Sequence, residues 1–548
     1  MVLVVSLAAA SLCLGQGARL SPDLAGRDPQ ARVNVIIRYK QAPQQRHVDA
    51  VVSRGGRHLG MLGMLNGAVY SVPAKALAEL ANDPDVSYIS PDRPVKAAGS
   101  NWSQLPLDYK LQAINADDAQ NNGFDGDNIG VAVIDTGVTS RQDFREYAYG
   151  STGPMRIVHS ENILNGGSTD DSYGHGTHVA GIIGGNGSQS FGLYAGVAPS
   201  ANIVNLVALD NTGSGTDSTV IAAIGRAIQL RRQYNIRVIN LSLGRPVFES
   251  YTQDPLCQAV EAAWNAGIVV VVAAGNDGRD NSQGTDGYAT ITAPGNDPYV
   301  ITVGAMKTEG TATRSDDLIA SYSSKGPTLL DHVVKPDLVA PGNLIVSVLG
   351  NGSLHSQYPQ NVVGANYFIL SGTSMAAPMV SGAAALLLDQ NASLTPDQVK
   401  ARLMLTAGKN FPVSSIATDP TTGNSYTSYY DVFAVGAGYL DVWAALNSNA
   451  TPNGSAASPI ASYNPSSGSV TLSNLGGQSV IWGTNLIWGT NVIWGTSAVS
   501  GSNVIWGTNL IWGTSAAGNL SVIWGTNLIW GTDVPTGEMS VVAIQGEQ

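Results

Sequence analysis

Charge is scarce in this chain: only 12% of its 548 residues are Asp, Glu, Lys or Arg. Lys and Arg number 28 against 40 Asp and Glu, a formal net charge of −12, and no run of basic residues exceeds two. A phosphate-reading surface needs a concentrated positive footprint, so nucleic acid is excluded as a partner. Cysteine is scarcer still. Cys13 and Cys257 are too few for a disulfide framework. No internal segment reaches the eighteen or so uninterrupted apolar residues of a membrane span. Histidine occurs only seven times, so its clustering is informative. Glycine is plentiful, at 63 residues. At roughly 150 residues per domain the length suggests three or four units, and it suffices to bury a large core without staples.

The apolar stretch 2–15, followed by Gly15-Gln16-Gly17-Ala18, reads as a secretory signal over residues 1–18 that lacks the usual positive start. An apolar first strand is the alternative. Removing a signal would leave Cys257 as the sole thiol, in a secreted or cell-surface protein without an internal disulfide. Residues 33–91 then alternate in character. Strand signals cover 33–39, 57–65, 67–72 and 86–89, and helix signals cover 47–53 and 74–81. That order is βαββαβ, a small ferredoxin-like α+β unit assigned to residues 30–97.

From residue 129 short β-branched runs at 129–134, 203–209, 238–243, 268–272 and 300–303 alternate with helical stretches such as 218–234 and 257–266. The runs are apolar without alternation, as parallel strands covered on both faces must be. The pattern predicts a doubly wound, mainly parallel α/β domain over residues 100–446. Residues 442–532 hold no Asp, Glu, Lys or Arg. After a linker at 447–479, residues 480–532 repeat Asn/Ser-Val/Leu-Ile-Trp-Gly-Thr seven times, through Trp482, Trp488, Trp494, Trp506, Trp512, Trp524 and Trp530. An even period keeps Trp on one face of a strand and Ile on the other, and six residues also suit a solenoid rung. We read this segment as β-rich and suited to binding a cell surface or to self-association. A low-complexity tail that packs on nothing is the alternative.

Three motifs sit where an α/β sheet places its chemistry, at the carboxyl ends of strands. Val131-Ala132-Val133-Ile134 runs into Asp135-Thr136-Gly137. The aspartic-protease reading needs a second such carboxylate sharing a proton, and no second apolar run ends this way; a turn-capping Asp is the bland reading. His175-Gly176-Thr177-His178 opens a glycine-bordered helix, where a zinc site would need further ligands and the His-Glu-x-x-His pattern is absent. Ser371-Gly372-Thr373-Ser374-Met375-Ala376 opens an Ala- and Leu-rich helix. A serine there is either a cap or a nucleophile favoured by the free N–H groups of a helix start. It is not the Gly-x-Ser-x-Gly elbow of α/β-hydrolases.

Together the three occur in the order Asp135, His175, Ser374, and the sequence around them resembles the subtilisin family of serine proteases. The resemblance covers about residues 33–445. It implies a serine endopeptidase that hydrolyses proteins through an acyl-enzyme: Ser374 attacks, His175 moves the proton, and Asp135 orients the imidazole. It places His178 in packing and makes Asn276, at the end of the run 268–272, the oxyanion donor beside the Ser374 N–H. By the same resemblance Gly213-Ser214-Gly215 and Ser242-Leu243-Gly244 are edges that pair with an extended peptide substrate. Asp277, beside Asn276, is placed either at the first specificity pocket or as a solvated loop acid, and is read as the latter. The family often carries structural calcium, and the loop 186–192 lies where such a site occurs, but it is poor in acids; no cofactor or metal is assigned. The unit at 30–97 resembles the inhibitory propeptide of a zymogen. The competing reading is a catalytically silent surface or adhesion protein that displays the repeats.

Overall fold

The computed structural model describes residues 19–473 apart from 22–23, 25–27, 63–65, 93–107, 147–152, 165, 283, 420–421, 451–453 and 465–468, together with Glu547. The segment 1–18 and the hexads at 480–532 lie outside the described residues. The chain divides into two units, 1–104 and 105–548.

In the first unit, β1 (Arg32–Tyr39), β2 (Arg57–Leu62), β3 (Gly67–Pro73) and β4 (Val86–Pro91) form an antiparallel sheet in the order β2-β3-β1-β4. A helix at Gln45–Val52 joins β1 to β2, and one at Leu77–Ala81 joins β3 to β4. Alternation decides the faces: Val33, Val35, Ile37 and Tyr39 of β1 are buried while their neighbours are not. With Tyr70, Val72 and Ile89 they make the core. The Tyr39 and Tyr70 hydroxyls satisfy each other inside it at 3.1 Å.

The second unit is built on β5 (Gly130–Asp135), β6 (Ile157–Asn162), β7 (Asn202–Val207), β8 (Ile236–Leu241), β9 (Val269–Ala273), β10 (Ile301–Lys307), β11 (Leu318–Ile319) and β12 (Leu338–Pro341). They lie in the order β11-β10-β9-β8-β5-β7-β6, with β12 also paired to β10. Every pairing is parallel except that of the short β11. All residues of β5 and β9 are buried, which is why their text is continuously apolar. β5 is central, with β7 on one side and β8 on the other. The chain therefore reverses its direction of sheet growth at β5, and a crevice opens beyond the carboxyl ends of the strands that flank the reversal.

The helix Thr373–Gln390 packs on β8, β9, β10 and β12, and the helix His175–Gly184 packs beside it. Fifteen of its residues are buried, so it is apolar all round rather than amphipathic, as a central helix must be. Observed strand ends differ from the sequence reading by a residue or two, except that β2 stops at Leu62 and β10 extends to Lys307. β6 has no apolar run to betray it: Ile157-Val158-His159-Ser160-Glu161-Asn162 is an edge strand of intermediate burial.

Part of the stretch read as a linker is packed. Ala456, Ala457, Ser458 and Ala461 are buried. The backbone joins residues 332–334 through Val334 N–H to Pro459 O (2.8 Å) and Ala461 N–H to His332 O (2.9 Å). The Ser458 hydroxyl donates to Asp337 Oδ1 at 2.5 Å, a carboxylate that is fully buried between Lys335 (2.7 Å) and Lys400 (3.1 Å). A two-stranded ribbon, Ile460–Asn464 with Ser469–Ser473, follows.

Candidate active site

β5 delivers Asp135 to the crevice at its last residue. The carboxylate is buried, and its Oδ1 accepts from the Thr136 N–H and pairs with His175 Nδ1, both at 2.8 Å. A carboxylate only accepts, so Nδ1 carries the proton and Nε2 is left as a basic lone pair. Burial works against a charged His175, but the Asp135 carboxylate, its hydrogen bond and the nearby Asp171 outweigh it. The imidazole pKa therefore lies above its ordinary value.

Sequence reasoning missed what holds this pair in place. Asp171 is fully buried and accepts from Thr136 Oγ1 (2.8 Å), Gly174 N–H (2.7 Å) and Thr177 N–H (2.8 Å). Thr136 Oγ1 in turn accepts from Gly176 N–H at 2.9 Å. The helix start is thus clamped to the end of β5. A Cβ on Gly176 would stand 2.3 Å from the Gly137 carbonyl oxygen, so this approach requires glycine. The available signal was a carboxylate four residues before His175. His178 lies in the packing, with Nε2 shared between the carbonyls of Ile345 (3.1 Å) and Phe368 (3.0 Å). Burial first, then the neighbouring His175, pushes its pKa down to about 3, so it stays neutral.

Ser374 is the second residue of the helix Thr373–Gln390, directly beyond Gly372, whose φ of 140° suits only glycine. Its hydroxyl donates to the Ser242 carbonyl at 3.1 Å, while Ser242 Oγ donates to the Ser374 carbonyl at 2.7 Å. The structure thus brings Asp135 and His175 into contact, and it turns the Ser374 hydroxyl toward the 242–244 edge rather than onto the imidazole. The Ser374 N–H belongs to the first helical turn and has no acceptor within the helix. Asn276 follows β9, and its Oδ1 accepts from both the Thr373 N–H (2.9 Å) and the Thr373 hydroxyl (3.1 Å). That fixes the amide orientation and leaves Nδ2 as the donor on the Gly372 side, 3.3 Å from where a Cβ on Gly372 would stand.

A cleft of about 560 Å³ is lined by His175, by Gly213, Ser214 and Gly215, and by Ser242, Leu243 and Gly244. All six proposed edge residues therefore reach one cavity. Its wall also holds an ion-pair network that the sequence did not announce. Arg245 binds Asp217 (2.9 Å) and the buried Asp254 (2.9 Å). Asp277 departs from expectation. It is half-buried, its Oδ1 is shielded from solvent without a partner, and burial, then Asp280, pushes its pKa up to about 6.

The loop 186–192 does not fit a calcium ion. Its natural acid, Asp143, accepts from the Ser188 hydroxyl (3.0 Å) and Gln189 N–H (3.1 Å) on Oδ1 and from the Tyr367 hydroxyl (2.6 Å) on Oδ2. Positive charge comes from Arg156, buried, which donates to the carbonyls of Asp143 (2.9 Å), Gly184 (2.7 Å) and Ala201 (2.6 Å).

The sequence profile of the subtilase family matches residues 126–438. The chain belongs to the subtilase family. It is, with that family, a serine-type endopeptidase. This subtilase is 40% identical over 303 residues to Serine protease AprX of Bacillus subtilis (strain 168), covering 54% of this chain and 65% of the relative. It is 34% identical over 393 residues to Subtilisin E of the same strain, covering 71% of this chain and 88% of the relative. To the Extracellular serine proteinase of Thermus sp. (strain Rt41A) it is 35% identical over 351 residues, covering 63% of this chain and 72% of the relative. The chain thus spans just under two thirds of AprX and most of Subtilisin E.

Proposed function

We propose that this subtilase is a secreted enzyme, made as a zymogen, that cleaves proteins through an acyl-enzyme formed on Ser374. The observation that carries this reading is the buried Asp135–His175 contact of 2.8 Å, set at the sheet reversal within the same crevice as the start of the Ser374 helix. In the reaction, rotation about the Ser374 Cα–Cβ bond moves its hydroxyl from the Ser242 carbonyl to His175 Nε2. His175 takes the proton as Oγ attacks the scissile carbonyl, then gives it to the leaving amine. The uncommitted Asn276 Nδ2 and the Ser374 N–H receive the oxyanion. The edges at 213–215 and 242–244 hold the substrate backbone as added strands.

Secretion is supported by the apolar segment 2–15 and by the similarity to the extracellular proteinase of Thermus; among the described residues no helix is long and apolar enough to cross a membrane. The zymogen reading is supported by the separate βαββαβ unit ahead of residue 105, which we assign as propeptide and inhibitor. A fluorophosphonate probe tests the reading. It is expected to label Ser374 in the wild type and not in Ser374→Ala. A folded wild type that stays unlabelled would favour the silent display protein.

A further inference from the structure

Glu547, the penultimate residue, is buried in the second unit, at 5% exposure. Its backbone is paired on both sides by one amide: Asn343 Nδ2 donates to the Glu547 carbonyl and the Glu547 N–H donates to Asn343 Oδ1, each at 2.8 Å. Its carboxylate accepts from the Ser321 N–H at 2.8 Å and lies 3.6 Å from Arg279 Nη2. Asn343 is itself 6% exposed. The receptor has supports besides Glu547. Arg279 is held by the Ser321 hydroxyl (2.7 Å) and by Asp419 (3.0 Å), and Tyr426 lies under its guanidinium at 4.7 Å. Asp419 and Tyr426 belong to the hairpin formed by Ser414–Thr418 and Ser425–Tyr429 and its turn, so an otherwise peripheral ribbon supplies one wall.

Such a site reads two things at once. The Asn343 amide imitates a strand neighbour and accepts any extended backbone. The N–H and guanidinium beyond it select a carboxylate one side chain away. We propose that Arg279, Ser321 and Asn343 form a receptor for an extended acidic residue and that its occupant is Glu547 of the same chain. Glu547 is thereby held to the second unit through its backbone and its carboxylate together. The receptor also adjoins the nucleophile's approach. Asn343 follows Gly342, whose carbonyl accepts the Gly372 N–H at 2.8 Å, and Leu344 N–H donates to Ser371 Oγ at 2.8 Å.

Hydrogen exchange read by mass spectrometry tests this in the full chain carrying Ser374→Ala, which prevents self-digestion. Adding Glu547→Ala is expected to speed exchange at Ser321 about tenfold, the scale of one charge-assisted hydrogen bond, with β9 unchanged as the folding control. Asn343→Ala is expected to release the C-terminal peptide to the same extent. Should Asn343→Ala fail to fold, the chain ending at residue 546 takes its place, and a peptide of residues 541–548 added to it should restore protection at Ser321. Exchange at Ser321 that is indifferent to Glu547 would overturn the proposal. So would protection that grows with protein concentration, which would assign the site to a second copy.

Discussion

The carboxylate of Asp135 does two things for His175: it fixes which nitrogen carries the proton, and it stabilises the charge the ring acquires. Asp135→Asn keeps the shape and removes both, because an amide facing Nδ1 favours the wrong tautomer. The expected loss is about 10⁴-fold in kcat with the fold retained. Asn276→Ala should lower kcat by about 10²–10³, a magnitude known from subtilisin itself. The base must be neutral, so kcat/KM should rise with pH through a midpoint above the ordinary imidazole value of about 6.5, in line with the direction of the His175 shift. A pH profile checks it; a midpoint below that value would contradict the geometry. Asp277 runs the other way. Its pKa is higher folded than unfolded, so its favourable protonation is complete at low pH and is lost as pH rises through about 6. Asp277→Asn in the Ser374→Ala background should therefore raise stability at pH 8 by up to about 2 kcal/mol and leave it nearly unchanged at pH 3.5, as read by urea unfolding.

Among the elements, the helix His175–Gly184 carries the tightest tolerance. Gly176→Ala would press a methyl group against Gly137 and lift the helix start from β5. Displacement by about an ångström is expected to cost on the order of 10² in kcat, with far-UV dichroism unchanged; full activity would show that the clamp is not needed. The strands that position the site were legible because burial on both faces writes them as unbroken apolar, largely β-branched runs, as in Val131 to Ile134 or Val269 to Val272. The three motifs were legible because each ends or begins such an element. What stayed hidden depends on partners far apart in the chain. Asp171 reads as an ordinary loop acid until Thr136 and Thr177 fold around it, and Arg245 as a surface cation until Asp217 and Asp254 converge on it. The direction of the Ser374 hydroxyl is a rotamer choice that no pattern encodes. Packing of residues 456–461 was masked by their short run of small, uncharged residues around a proline, which resembles a linker when read alone.

That packing sets where the molecule can be cut. Ending the chain before residue 454 removes Ser458 from the Asp337–Lys335–Lys400 cluster and leaves it short of two hydrogen bonds, the one Asp337 accepts and the one Lys400 donates, at an expected cost of about 1–3 kcal/mol each. Ending it after Ser473 spares the cluster, and cleavage of a small peptide should match that of the full chain, with a melting temperature above that of the earlier truncation. Maturation can be read on the same scale. Intact mass and N-terminal sequencing of secreted wild type should find a new N-terminus near residues 97–101, and Ser374→Ala should retain the βαββαβ unit. An uncut wild type with full activity would defeat the zymogen assignment.

The guanidinium of Arg156 beside Asp143 has a bearing on endurance. A bound ion stabilises only in proportion to its free concentration relative to its dissociation constant, so dilution or a chelator strips it away. A positive group attached by the main chain has no such equilibrium. The loop at 186–192 should accordingly keep its shape in metal-poor surroundings, and its persistence becomes a property of the polypeptide and not of the medium.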